Sequence, residues 1–107
     1  MQPARWEERD AHLPAARLLV NTTSLGMAGN SPLEIDVARL PAGAVVADLV
    51  YVPLVTPLLA TGRARGLATA DGLGMLLHQA VRGFSLWFGI KPKVTAELRA
   101  LVEADLK

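Results

Sequence analysis

The sequence predicts an α/β fold in which about three parallel strands are flanked by helices. Three short apolar runs, at 16–20, 44–51 and 67–70, alternate with stretches of helical period, and this alternation is typical of a parallel sheet. The runs carry no regular polar alternation, so we expect strands that are covered on both faces. With 107 residues, 51% of them hydrophobic and 20% charged, the chain is long enough for one domain.

The first two predicted helices flank the first two strands. A short helix over 6–13 precedes the first strand, and a second helix over 56–65 separates the last two strands. Thr56 is a suitable N-cap, Pro57 suits the first helical position and Gly66 lies just beyond the end. These three residues fix the bounds of the second helix.

The last two predicted helices occupy the C-terminal third. A long helix over 73–88 begins at Asp71 or Gly72 and is stopped by Gly89. A final amphipathic helix covers 95–106, since its apolar residues recur at spacings of three and four. That stripe consists of Leu98, Leu101, Val102 and Leu106.

The composition excludes several functional classes. Net charge is +1 and no basic stripe is present, so we expect no nucleic-acid partner. The chain has no cysteine, which excludes disulfides, zinc-thiolate sites and a cysteine nucleophile. No segment approaches the roughly 18 apolar residues of a membrane span, and no secretory signal is evident. We therefore expect no membrane partner and a cytoplasmic location.

Polar residues gather in three loops that follow the three predicted strands. They occupy 21–27 (NTTSLGM), 48–56 (DLVYVPLVT) and 71–79 (DGLGMLLHQ). In open α/β sheets, ligands bind at the carboxyl ends of the strands. The three loops are therefore the candidate binding site.

Each loop residue also has a structural interpretation. The Asn, Thr and Ser side chains of the first loop can form a turn by bonding their local backbone. Asp48 needs partners if it is buried, and we expect it to accept from backbone N–H groups or a hydroxyl. Tyr51 differs, because it ends its strand where its hydroxyl can reach the crevice.

Gln79 in the third loop has two interpretations. At about 100° per residue it lies one turn beyond Met75, at the edge of the core, where its amide can bond a hydroxylated ligand. Alternatively, the protein itself satisfies the amide. His78 falls on the solvent side, and with His12 far away we expect no metal site. The apolar stripe of this helix consists of Leu73, Leu76, Leu77, Ala80, Phe84 and Trp87.

Together the three loops resemble the shikimate dehydrogenase family. Residues 21–27 are similar to its Asn-Ala-Thr-x-x-Gly-Met motif, and residues 48–59 to Asp-x-x-Tyr-x-Pro-x-x-Thr-x-(Leu/Phe)-Leu. Residues 71–79 resemble Asp-Gly-x-x-Met-Leu-x-x-Gln. The chain departs from the family pattern at Thr22, where alanine is usual, and at Leu49, where methionine is common. Three motifs in the right order make the resemblance specific.

The resemblance implies a partial Rossmann-like domain and NADP-dependent interconversion of shikimate and 3-dehydroshikimate. It implies contacts with the shikimate or 3-dehydroshikimate ring from Tyr51 and Gln79. The backbone of Leu49 and Gly72 would approach the nicotinamide. The full set of cofactor-binding residues implied in this way is Thr23, Leu49, Gly72 and Met75.

Other parts of the family pattern have no counterpart here. The catalytic lysine and aspartate belong to a separate domain of the family, so no catalytic residue is assigned. The phosphate-cradling G-x-G-x-x-G turn is also absent, because Leu77 stands where a third glycine would follow Gly72 and Gly74. We therefore expect residues 1–107 to be the C-terminal half of the nucleotide-binding domain, a fragment that is inactive alone.

Two alternatives remain open at this point. The chain could be a non-catalytic binding or assembly module that keeps the fold, or part of a quinate-using relative with the same motifs. The first strand would lie at an uncovered sheet edge, which favours self-association into a dimer or higher oligomer.

Overall fold

A three-stranded parallel sheet lies at the centre of the structure, a computed structural model that describes residues 1–106. The strands are β1 (Leu18–Asn21), β2 (Val45–Asp48) and β3 (Ala68–Ala70), in the order β1-β2-β3. The predicted fold class is confirmed. Strand β2 is shorter than its apolar run because the chain leaves the sheet after Asp48, where the N–H of Val50 donates to the Asp48 carboxylate.

Residues 1–106 form four α-helices, of which the second packs on the sheet. They are α1 (Arg9–His12), α2 (Pro57–Ala64), α3 (Gly72–Phe88) and α4 (Ala96–Asp105). The short helix predicted over 6–13 is α1 between two 3-10 turns, the second of which runs through Pro14. Between β1 and β2 the chain forms only a 3-10 turn, Val37–Arg39, which the sequence pattern did not predict.

The three longer helices begin at side-chain caps. Thr56 accepts from the N–H of Leu59 at the start of α2, at 3.3 Å. Asp71 and Thr95 cap α3 and α4 in the same way. Because the first N–H groups of a helix have no partner within it, these caps fix where each helix begins. The predicted N-cap Thr56 is confirmed, and of the two predicted starts of the long helix, Asp71 and Gly72, it is Asp71 that caps α3.

One face of the sheet forms the core. Helix α2 packs on this face so closely that a Cβ at Gly62 would lie 3.3 Å from the Thr69 methyl. The buried cluster beneath α2 and the Val37–Arg39 turn consists of Leu13, Val37, Leu40, Ala44, Val46, Leu58, Leu59 and Leu67.

The other face of the sheet is open. Leu18 and Val20, whose side chains point to that face, are 58% and 40% exposed. Ala68 and Ala70, on the same face of β3, are also exposed. The expectation that the strands are covered on both faces is therefore wrong for residues 1–106. The apolar runs place apolar side chains on both faces of the sheet, but no part of the described chain packs over the second face.

Helices α3 and α4 carry their apolar residues largely to solvent. Only Gly72 and Leu73 of α3 are buried, and α4 has no buried residue. Within the predicted stripes, Trp87 is 80% and Leu101 is 71% exposed. These residues have the helical spacing that was predicted but do not form a core. Among residues 1–106, no helix is long and apolar enough to cross a membrane.

Candidate functional site

The first loop begins at Asn21, which is buried at the end of β1. Its Oδ1 accepts from the N–H of Thr23 at 3.0 Å and from the Thr23 hydroxyl at 2.7 Å. Thr23 Oγ1 in turn accepts from the N–H of Leu25 at 3.1 Å. The turn stabilised by local side chains is confirmed, and it holds Thr23 in one position.

Asp48 joins the first two loops to α2. Its Oδ1 accepts from Asn21 Nδ2 and from the N–H of Val50, each at 3.0 Å, and its Oδ2 accepts from the Thr56 hydroxyl at 2.7 Å. Asp48 is 2% exposed and Thr56 is fully buried. The structural role predicted for Asp48 is confirmed. A buried carboxylate with three donors is stable, and it ties both loops to one point.

The third loop meets the second through Gly72. A Cβ at this position would overlap the Leu49 carbonyl and would lie 2.7 Å from the carbonyl oxygen of Val50. Only glycine allows the first turn of α3 to approach the end of β2 so closely. Gly72 therefore sets the position of α3 against Leu49.

A crevice of about 340 Å³ lies at the carboxyl ends of β1 and β2. The predicted residues Thr23, Leu49 and Tyr51 all line it, and Tyr51 is half-buried in the loop three residues after β2, not at its end. The lining contains hydroxyl groups and backbone polar groups but no charged side chain. The complete lining is Thr22, Thr23, Ser24, Met27, Leu49, Val50, Tyr51 and Val52.

Met75 and Gln79 lie outside that lining. Met75 is 46% exposed on α3, and Gln79 is exposed one turn further on. The Gln79 amide donates from Nε2 to the carbonyl of Leu76 in the same helix, at 3.0 Å. The expectation that Gln79 sits at the edge of the core is therefore wrong here, because the surface it would border is itself uncovered.

Gln79 instead borders an apolar groove of about 470 Å³ between α3 and α4. Its lining includes Leu77 and Phe84 of α3 and Leu98 and Val102 of α4. A larger cavity of about 600 Å³ lies beside the N-terminal turns and is lined by none of the three motif loops. Within residues 1–106 no cluster of three His, Cys, Asp or Glu side chains could hold a metal ion.

Arg99 of α4 reaches the start of α3. Its Nη2 donates to Asp71 Oδ2 at 2.7 Å and its Nε to Glu103 at 2.8 Å. The hydrogen bond to Asp71 is the main cause that raises the pKa of Arg99 above its ordinary value. No local sequence pattern indicates the contact with Asp71, because 28 residues separate the partners.

Parallel strands whose carboxyl ends border a crevice place this chain in the α/β class with an open parallel sheet. The family described as Shikimate 5'-dehydrogenase C-terminal domain matches residues 72–102. The NADP(+) shikimate dehydrogenase of Rhodopseudomonas palustris strain TIE-1 is 73% identical over 97% of this chain. Nearly the whole chain is thus similar to shikimate dehydrogenases, and residues 72–102 are similar to the C-terminal domain of that family.

Solved structures agree with the sequence comparison. Quinate dehydrogenase from Corynebacterium glutamicum in complex with NAD aligns over 92% of this chain and 34% of its own, with TM-score 0.81 and 36% identity. Shikimate 5-dehydrogenase from Thermus thermophilus in complex with NADP(H) and shikimate aligns over 89% of this chain and 34% of its own, with TM-score 0.71 and 34% identity. The partial Rossmann-like fold is thus confirmed. The chain spans 37% of the length of the strain TIE-1 relative.

Proposed function

We propose that this chain supplies the nicotinamide-side wall of an NADP-dependent oxidoreductase that interconverts shikimate and 3-dehydroshikimate. It corresponds in this proposal to the C-terminal half of the nucleotide-binding domain, continued by the C-terminal helices. The observation that carries the proposal is the convergence of three motif loops at one sheet edge. The buried Asp48 carboxylate joins the first two loops, and Gly72 packs the third against Leu49.

The chemistry of the crevice supports the nicotinamide end of the cofactor. A carboxamide-bearing ring needs hydrogen-bonding groups and an apolar surface. Leu49 offers the apolar surface. The Thr23 hydroxyl, which donates one hydrogen bond and accepts another within the first loop, keeps one lone pair to accept from the carboxamide. A pyrophosphate needs cationic side chains or a glycine-rich turn, and the lining has neither. NADP would supply the hydride acceptor, with Gly72 and Met75 as its further contacts in this chain.

Tyr51 and Gln79 are the proposed substrate contacts. Both side chains end in neutral hydrogen-bonding groups, which suit the ring hydroxyls of a polyhydroxy acid. Tyr51 already lines the crevice. Gln79 would exchange its bond to the Leu76 carbonyl for one to the substrate. We assign no proton-transfer role within residues 1–106, so the isolated chain is expected to show no measurable turnover.

A chimera tests the proposal. In it, this chain replaces the matching 37% of the strain TIE-1 relative, and the absorbance of the reduced cofactor is followed with shikimate and NADP. We expect turnover by the chimera and none by the 107-residue chain. Turnover by the isolated chain comparable to that of the chimera, or an inactive chimera that is folded, would contradict the proposal.

Point variants of the chimera test the substrate contacts. Tyr51→Phe and Gln79→Ala should each raise the KM for shikimate about 3- to 10-fold, since each removes one hydrogen bond. His78→Ala is the matched control, because His78 is exposed beside Gln79 and is assigned no contact. If all three variants keep the KM for shikimate of the unsubstituted chimera, Tyr51 and Gln79 do not contact the substrate.

A quinate-using enzyme is the second candidate, favoured by the 36% identity with the quinate dehydrogenase structure. Comparing quinate with shikimate, and NAD with NADP, in the same chimera separates the two. Higher kcat/KM for quinate would replace the first proposal.

Self-association of the chain alone is a separate proposal. Strand β1 is an edge strand, and its Leu18 and Val20 are exposed. An unpaired strand edge beside an exposed apolar face supports pairing with a second copy of the chain. A purely structural role in an assembly would use the same surface. Light scattering should show a dimer or larger species. A monomer at high concentration would contradict this.

A further inference from the structure

The first turn of α3 is held from two sides. On one side Gly72 packs against the carbonyls of Leu49 and Val50. On the other side Asp71 contacts Arg99 of α4. The side chains of Asp71 and Arg99 are 16% and 34% exposed, so this ion pair is partly shielded from water.

Asp71 uses both carboxylate oxygens at this point. Its Oδ1 accepts from the N–H of Gly74 and caps the helix, while its Oδ2 accepts from Arg99. The cap therefore depends on a carboxylate whose orientation is set by α4. A Cβ at Gly74 would lie 3.9 Å from Arg99 Nη1, so the guanidinium lies directly over the first turn.

The Asp71 carboxylate lies between two positive groups, the N-terminus of α3 and the Arg99 guanidinium. The N-terminus of α3 carries a partial positive charge, and Arg99 would be unfavourable there alone. Asp71 compensates both, and Glu103 holds the second edge of the guanidinium from within α4. Arg99 is thus fixed in one orientation by two carboxylates.

We propose that Arg99 is a positioning residue, which acts through Asp71 to hold the first turn of α3 against Leu49. The inference rests on the proposed function, since Leu49, Gly72 and Met75 are there the contacts with the nicotinamide. Arg99 itself contacts neither cofactor nor substrate. Its loss should therefore weaken cofactor binding and leave the chemical step unchanged.

Hydrogen exchange at the Gly74 amide tests the positioning without any cofactor. In the 107-residue chain, Arg99→Met should speed exchange of this amide about 5-fold, because the cap loses its oriented carboxylate. Arg99→Lys should restore much of the protection. Glu103→Gln is the matched control, since its amide oxygen can still accept from Arg99 Nε and the pair between Asp71 and Arg99 stays in place. Unchanged exchange in Arg99→Met, or an equal increase in Glu103→Gln, would overturn the inference.

The chimera supplies the functional readout. Arg99→Met should raise the KM for NADP about 5-fold and leave kcat within about 2-fold, whereas Glu103→Gln should change neither. A fall in kcat at constant KM would overturn the positioning role. If the unsubstituted chimera has no NADP-dependent activity, the proposed function fails, and exchange at Gly74 still decides whether Arg99 positions the helix.

Discussion

The sheet half of the molecule, residues 13–73, and the helical half, residues 74–106, differ in one respect above all. The buried residues of the described chain all lie in the sheet half, and none lies in the helical half. Both halves have regular helices with side-chain caps. Local sequence signals thus form helices in both, but only the sheet half gives its helix a surface to pack on.

Most of the stability and the candidate site are expected to lie in the sheet half. Burial of apolar surface is the main stabilising contribution, so the sheet half should carry most of the free energy of unfolding. The same half contains the buried polar network around Asp48 and the crevice. The helical half displays apolar side chains such as Trp87, 80% exposed, and Leu86, 71% exposed. Met75 and Gln79, which this half is proposed to supply to the site, are exposed in the same way.

Removing the Asp48 carboxylate should have the largest effect. Asp48→Ala leaves Asn21 and Thr56 buried without their acceptor, so we expect a loss of at least about 4 kcal/mol in the free energy of unfolding. Denaturant unfolding followed by circular dichroism measures it. Asp36→Ala is the control, because Asp36 is exposed and caps only a 3-10 turn, and it should cost less than about 1 kcal/mol. Equal losses in the two variants would contradict the network's role.

A matched pair of leucine truncations compares the two halves directly. Leu59→Ala opens a cavity in the core and should cost about 3 kcal/mol. Leu86→Ala removes the same atoms from a side chain that is 71% exposed and should change stability by no more than about 0.5 kcal/mol. Thermal unfolding of both variants gives the comparison. A large loss for Leu86→Ala would show that the helical half is packed in solution, by self-association or otherwise.

The smallest effect concerns the start of α4. Hydrogen bonds from its own N–H and from the Thr95 hydroxyl lower the pKa of Glu97 below its ordinary value. Because the pKa of Glu97 is lowered in the folded state, its ionised carboxylate stabilises the fold at pH values above the ordinary pKa of a glutamate. That contribution is lost as the pH falls through the folded-state pKa. Wild type should therefore lose slightly more helicity than Glu97→Gln on acidification from neutral pH to about pH 3. An identical pH dependence of the circular dichroism in both proteins would show that the Glu97 carboxylate does not stabilise the helix.

The features that the sequence predicts correctly lie mainly in the sheet half. The three parallel strands, the α2 and α3 boundaries to within a residue and the turn at Asn21 follow from local patterns, and all are confirmed. Phe84 and Trp87 share the predicted apolar stripe but are exposed, because periodicity shows which residues share a face and not whether that face is covered. For the same reason, the prediction that Gln79 lies at the edge of the core is wrong. The contact between Asp71 and Arg99 depends on how α4 folds back, which no local pattern encodes.

Native-state hydrogen exchange of the whole 107-residue chain tests the division most directly. We predict that amides of β2 and α2 exchange only through global unfolding, while those of residues 81–105 exchange at least about 100-fold faster. The first turn of α3 should be intermediate, because Gly72 and Arg99 hold it from both sides. Equal protection across β2, α2 and residues 81–105 would show a single cooperative unit and contradict the division into two halves.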